Sequence, residues 1–320
     1  MFDSHPINEA IVTTGAAHTE MKYDTNFFCK HYDEVRHWTL RLRARHIALT
    51  AASVSWALSG MIRRSLERPR VHFIYFHHVF RDEEEHFEKL VRDLSSSHYF
   101  LSYSDAVERI RRGPIDRPYL CFSFDDGLRS CLQAGQILKS YGASACFFVC
   151  PTMAEERDYL KIRQFCADRL QMPPTEFLNW DEIERLVQMG HEVGSHTMSH
   201  RRMSDLNRIE LDEELGRSRE ALERRLGGVH HFAWPFGQFG DVSQEAVERV
   251  FLSGYESCAS AERGAHVDIL GRGAETNLCI RRDHAVAAWP LSHTLMLMAR
   301  SSRRSDGSFN RWPDALRPTL

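Results

Sequence analysis

The chain has no CxxC pair, no apolar run long enough to cross a bilayer, little net charge and no internal repeat. Each absence removes a class of protein. Eight cysteines are present (Cys29, Cys121, Cys131, Cys146, Cys150, Cys166, Cys258 and Cys279), and their spacing does not fit zinc–thiolate binding. Several sit in apolar, strand-like runs, where cysteine acts as a small buried hydrophobe. The start of the chain shows no basic stretch followed by an apolar one, so no cleavable signal peptide is expected. With scattered cysteines and no export signal, the chain reads as reduced and cytoplasmic. A formal net charge of -3 gives no electrostatic footprint for nucleic acid. At 42% hydrophobic and 27% charged over 320 residues, the composition is that of a soluble globular protein with one large α/β domain or two smaller ones.

The nearest approach to a membrane segment is residues 47–62. It is too short and too rich in Ser, Thr and Ala to span, since a spanning helix needs about 20 apolar residues. Ile47, Ala51, Val54, Leu58, Met61 and Leu66 fall at helical spacing. The first expectation is that they pack on the main domain. The second is that the segment, flanked by Arg41, Arg43, Arg45, Arg63 and Arg64, lies on a membrane surface as a peripheral contact.

Residues 1 to about 30 show little periodicity and read as an irregular arm, and residues 33–66 as helical. Beyond Arg68-Pro69-Arg70 apolar runs alternate with amphipathic stretches. Strands are expected at 71–78, 119–124, 145–149, 191–194, 231–234, 255–259 and 278–281. Helices are expected at 84–94, 128–141, 180–189, 209–226 and 243–252. Such alternation argues for parallel βαβ units, and the strand count for a closed or nearly closed barrel. The expected architecture is α/β: an N-terminal arm and helix over 1–70, a closed or nearly closed barrel over 71–300, and a loose tail over 301–320. In barrels of this kind reactive residues gather where strands end. His77, Asp125, Asp126, His196, Pro235 and Arg281 all lie at or just past such an end.

Asp125 and Asp126 stand side by side after the apolar run Leu120–Phe124. Two adjacent carboxylates repel, so one pKa rises unless a cation sits between them. An Asp-Gly turn with Asp126 as a helix cap explains the pair equally well when it is taken alone. His196 and His200, four residues apart in Gly194-Ser195-His196-Thr197-Met198-Ser199-His200, change the balance. One Asp and two His make a plausible three-ligand set for a catalytic divalent metal with a position open to water.

Phe122-Ser123-Phe124-Asp125-Asp126-Gly127 resembles the first motif of the polysaccharide deacetylase family, and the Gly194–His200 stretch resembles its second. Phe232-Ala233-Trp234-Pro235-Phe236-Gly237 is similar to the third. The resemblance covers about residues 71–285. It implies a distorted (β/α) barrel and metal-assisted hydrolysis of an N-acetyl group on an amino sugar, on a glycan precursor, a nucleotide- or lipid-linked sugar, or an oligosaccharide. By motif, Asp126, His196 and His200 would hold one divalent ion, with Zn²⁺ expected and Co²⁺ or Ni²⁺ also suited to these ligands. Asp125 would be the general base, and the Phe236 N–H would support the oxyanion. Two positions depart from the pattern. Ala233 stands where many members carry the arginine that orients the base; Arg281 or Arg282 can replace it, and Arg281 is favoured. For the general acid, His293 in Leu291-Ser292-His293 competes with His77, which resembles the Tyr-His of a permuted subgroup; His77 is favoured. A sugar de-N-formylase would use the same machinery. A catalytically silent carbohydrate-binding protein on the same scaffold is the reading from another class.

Overall fold

In the computed structural model, residues 28–35, 39–268, 277–305 and 312–318 are described. The irregular arm expected over 1 to about 30 falls almost wholly outside them. The strands are β1 (Arg70–Phe76), β2 (Tyr99–Phe100), β3 (Pro118–Phe124), β4 (Ala145–Val149), β5 (Glu192–Ser195), β6 (His231–Ala233), β7 (Ser257–Ala259), β8 (Leu278–Ile280) and β9 (Asp283–His284). They form one sheet in the order β8-β7-β6-β5-β4-β3-β1-β9, with β2 also paired to β3. Every ladder in it is parallel.

The two ends of that order, β8 and β9, are separated in the chain only by Arg281 and Arg282. A fully extended residue advances at most about 3.6 Å. The edges must therefore lie close together, and the sheet curls round on itself. This is the nearly closed barrel expected from the alternation of strands and helices, with the distortion that the resemblance implies.

Alternation along each strand sorts the core into two layers. One apolar cluster holds Val71, Phe73, Cys121, Cys146, Phe148, Ala233, Ala259, Leu278 and Ile280. These are inward positions of successive strands. The Tyr103–Arg112 helix adds Tyr103, Ala106, Val107 and Ile110 to the same cluster. The opposite parity (Ile74, Phe76, Leu120, Phe122, Phe124, Phe147, Phe232, Cys258 and Cys279) belongs to a larger cluster shared with the surrounding helices. Each fully buried Phe there contributes roughly 1.5–3 kcal/mol of hydrophobic stabilisation. The barrel interior is tight: a Cβ on Gly194 would stand 2.5 Å from the Phe148 ring and 2.8 Å from the His231 carbonyl oxygen.

The covering helices form for ordinary sequence reasons. Glu84–Ser95 buries Phe87, Leu90, Val91 and Leu94, a stripe at helical spacing. Trp180–Gln188 and Arg208–Leu226 each open on a reciprocal capping box, Asn179 with Glu182 and Asn207 with Glu210.

Two expectations are corrected. The helix Leu40–Leu58 does not pack through Ile47, Val54 and Leu58, which are exposed. Its buried side is Leu42 and Ser53, with Thr50 bonded to His293 on the C-terminal helix Leu291–Arg304. It ends at Ser59, and Gly60, at φ 66°, breaks the run before a second helix, Met61–Leu66. The tail expected to be loose from Ser301 is helical to Arg304, and it docks again through Trp312. That side chain is 2% exposed, tilts against Trp234 with 5.6 Å between ring centroids, and donates to the Asn277 carbonyl.

Candidate active site

The inward parity that fills the barrel continues past the strand ends into polar side chains. After Val71, Phe73 and Tyr75 the next inward residue is His77. After Cys121 and Ser123 it is Asp125, after Gly194 it is His196, and after Leu278 and Ile280 it is Arg282. Backbone hydrogen bonds carry the ladder one step further at two of these: the Asp125 N–H donates to the Phe76 carbonyl and the His196 N–H to the Val149 carbonyl. Tyr75, His77, Asp125, Asp126, His196, His200, Trp234 and Phe236 line one cavity of about 120 Å³.

Asp126 breaks parity to reach the same place. It has φ 71°, and Thr197, His200 and Phe236 also have positive φ, at 62°, 54° and 64°. Left-handed backbone is a genuine outlier for a β-branched residue such as Thr197. Strain of this kind persists only where surroundings over-determine it, and it concentrates at functional sites. The Thr197–His200 turn is held by the His200 N–H donating to Thr197 Oγ1. The buried Glu214, from the Arg208–Leu226 helix, accepts from the Ser199 N–H and hydroxyl.

The three expected ligands converge. Asp126 Oδ1 is 3.3 Å from His196 Nε2 and 3.2 Å from His200 Nε2, all three residues are buried, and one donor atom from each lies within 4.8 Å of the others. The His196 Nδ1–H donates to the Ala233 carbonyl at 2.7 Å, so the neutral ring turns the Nε2 lone pair towards Asp126. A lone pair facing a carboxylate oxygen is repulsive unless positive charge lies between them. Two imidazoles and a carboxylate are a donor set for a borderline-soft divalent ion, and this one fits. Burial disfavours charge on Asp126, but hydrogen bonds from His196 and His200 in their protonated form, with the charge of His200 and His77, hold its pKa well below the usual carboxylate range. Burial likewise disfavours the His196 imidazolium, yet Asp126 and Asp125 raise its pKa above the ordinary histidine value.

Asp125 faces another partner. Arg282 Nη1 donates to Oδ1 at 2.7 Å and Nη2 to Oδ2 at 2.8 Å. The guanidinium is fully buried, donates from Nε to the Ser260 carbonyl, and lies 4.4 Å from the centre of the Tyr75 ring. Burial would lower the Arg282 pKa, but the Asp125 carboxylate raises it above the usual arginine value. The arginine on Asp125 is therefore Arg282, not the favoured Arg281. Parity puts Arg281 on the outer side with Cys279, and its guanidinium lies 5.0 Å from the Phe239 ring centre.

Residues 112–253 match the sequence model of a family described as polysaccharide deacetylase. Over that stretch the chain is similar to polysaccharide deacetylases. A chitooligosaccharide deacetylase of Sinorhizobium fredii is 24% identical over 141 residues, which are 43% of this chain and 55% of the relative. The chain thus spans about half the length of the curated relative it matches. Two solved structures share the fold. One is the Streptococcus pyogenes deacetylase PplD in complex with acetate (TM-score 0.56, 16% identity, 72% of this chain and 98% of that one). The other is IcaB from Ammonifex degensii (TM-score 0.55, 18% identity, 72% and 98%).

Of the two histidines weighed for the acid, His77 lines the cavity, with Nδ1 3.1 Å from His284 Nε2. Burial lowers its pKa, against the raising effect of Asp126 and Asp125. His293 is buried against the Leu40–Leu58 helix instead, bonded to Thr50. The cavity wall also includes Arg169, Leu170 and Gln171, which the motifs do not reach. They follow a short helix, Tyr159–Phe165, that the sequence pattern does not announce.

Proposed function

We propose that this chain is a metal-dependent carbohydrate N-deacetylase that hydrolyses the N-acetyl group of an amino sugar, with Asp126, His196 and His200 as ligands of one divalent ion, Zn²⁺ by preference. A divalent cation held there supplies Lewis acidity to a water and to an amide carbonyl. Asp125 takes the proton from the attacking water. Arg282 fixes both of its oxygens and keeps their remaining lone pairs aimed into the cavity. The Phe236 N–H, presented by left-handed backbone, donates to the oxyanion as it forms. His77 passes a proton to the departing amine nitrogen. It is neutral in the resting cavity and is drawn towards protonation as negative charge builds on the reacting centre.

The observation that carries this reading is the division of labour between adjacent carboxylates. Asp126 meets two imidazoles, while Asp125, one residue away, is held by a buried guanidinium in a two-pronged grip. A cation kept for structure alone, as in a silent carbohydrate-binding protein, has no use for the second carboxylate or for an arginine buried to hold it. The amino sugar we favour is a nucleotide- or lipid-linked one, or a short oligosaccharide.

The test is acetate release from N-acetylated nucleotide-sugars, lipid-linked sugars and chitooligosaccharides, with and without chelator, by the intact chain and by Asp125→Asn. The expected result is chelator-sensitive acetate release that falls roughly 10²–10⁴-fold in the variant while bound metal stays stoichiometric. Full turnover by Asp125→Asn rejects the base assignment. Release of formate but not acetate from acylated pairs rejects the acetyl specificity.

A further inference from the structure

A surface helix ordinarily turns its apolar side to the core and its charges to water. The Leu40–Leu58 helix breaks that rule. At 100° per residue, Leu40, Ala44, Ile47, Ala51, Val54 and Leu58 form one stripe along its outer side, opposite Leu42 and Ser53. Leu40 is 85% exposed, Ile47 72%, Val54 52% and Leu58 85%. Among the described residues nothing covers this stripe.

The charges on the helix itself are all of one sign. Arg43 flanks one side of the stripe and Arg41 the other, while Arg45 stacks on Trp289. Arg63, paired with Glu67, and Arg64 follow on the next helix, both exposed. From Val35 to Leu66 the sequence has no Asp or Glu, in a chain whose net charge is -3. The stripe itself carries no aromatic residue, the type that anchors most protein–protein hot spots. Leu, Ile and Val outward with arginines on both flanks is instead the pattern of a helix lying in a headgroup layer. There the apolar side enters the acyl boundary and arginine stems reach back to the phosphates. No helix among the described residues is long and apolar enough to cross a membrane.

We propose that the Leu40–Leu58 helix docks this protein on the surface of an anionic lipid bilayer, with Leu40, Ile47, Val54 and Leu58 inserted and Arg41 and Arg43 at the headgroups. The inference is independent of the reaction at the barrel mouth. The apolar stripe gives depth and the arginines give preference for negative lipid, so both are needed for tight binding.

The experiment is co-sedimentation of the full chain with phosphatidylcholine vesicles, with and without phosphatidylglycerol. Binding should require phosphatidylglycerol and be released by high salt, which screens exposed charge. Ile47→Asn and Leu58→Asn should each weaken it roughly tenfold, the worth of removing one inserted aliphatic side chain. Arg41→Gln with Arg43→Gln should weaken binding to the anionic vesicles without disturbing the apolar stripe. All these side chains are exposed, so the thermal melt by circular dichroism should match the parent. Absence of phosphatidylglycerol-dependent binding, or binding that survives both Asn substitutions, overturns the proposal. So does a dimer, seen by sedimentation velocity, that the Asn variants dissociate while vesicle binding is absent.

Discussion

Arg282 grips Asp125 through two nearly parallel hydrogen bonds of 2.7 and 2.8 Å, from the short link that joins the first and last edges of the sheet. The guanidinium that holds the proposed base is thus built into the closure of the barrel. Lysine cannot reproduce a planar two-pronged donor. Arg282→Lys should lower kcat by about 10²-fold or more, within the range that a positioned base contributes. Arg281→Gln should leave kcat near the parent value. Arg282→Met strands a buried carboxylate and should cost roughly 3–5 kcal/mol in urea unfolding. Adding Asp125→Asn to Arg282→Met should recover part of that loss. Equal effects at positions 281 and 282 would refute the assignment.

Glu214 binds the turn that presents His200, accepting from both the Ser199 N–H and its hydroxyl. It touches none of the three proposed ligands, so its influence runs through the strained backbone of Thr197 and His200. Groups that hold a ligand's carrier in place typically carry 10–100-fold in metal affinity. Glu214→Ala should raise the metal dissociation constant by about that factor in chelator competition, while kcat at saturating metal falls much less. An unchanged dissociation constant would mean that the turn holds its shape alone.

The acid assignment separates cleanly in space. His77 borders the cavity with Asp125 and Asp126, and His293 lies between two helices. His77→Gln should lower kcat by roughly 10²-fold or more with little change in bound metal. His293→Gln should leave kcat intact and alter only the melting temperature, through the lost bond to Thr50. Steady-state rates on one N-acetylated substrate decide between them, and a His293 variant that loses turnover would reverse the roles.

The barrel and its reactive rim could be read from the sequence because both depend on alternation. Apolar runs of four to eight residues separated by amphipathic stretches dictate strand and helix. The polar residue following each run then falls at a strand's carboxyl end. The same alternation would have chosen Arg282, since Leu278, Ile280 and Arg282 share one face while Cys279 and Arg281 share the other. Asp126 could not be found that way. It reaches the imidazoles only by adopting positive φ, which an Asp-Gly pair permits but does not require. The two-residue strands β2 and β9 were invisible because two residues carry no periodicity. The exposed stripe on the Leu40–Leu58 helix misled because helical spacing of apolar residues says that they share a face, not which way the face looks.

A last prediction concerns acid stability, away from the site. His98 is 5% exposed, and its Nε2 accepts a hydrogen bond from Arg70 Nη2 at 2.8 Å. That leaves the proton on Nδ1, which donates to Ser97 Oγ. Burial first, then the charge of Arg70, pushes the His98 pKa down to about 3. In the unfolded chain the ring titrates at its ordinary value of about 6.5. Above that value both states are neutral and no penalty exists. Between about 6.5 and 3 the unfolded chain binds a proton that the folded one refuses, so folding stability falls with pH by up to about 1.4 kcal/mol per unit from this group. His98→Gln keeps an acceptor for Arg70 and removes the titration. Its urea midpoint should drop less steeply than the parent's between pH 7 and pH 5, by about one proton's slope. The slope does not vanish, because burial also lowers the pKa of His72 and His191. Parallel pH profiles for parent and variant would mean that His98 takes up its proton inside the folded protein.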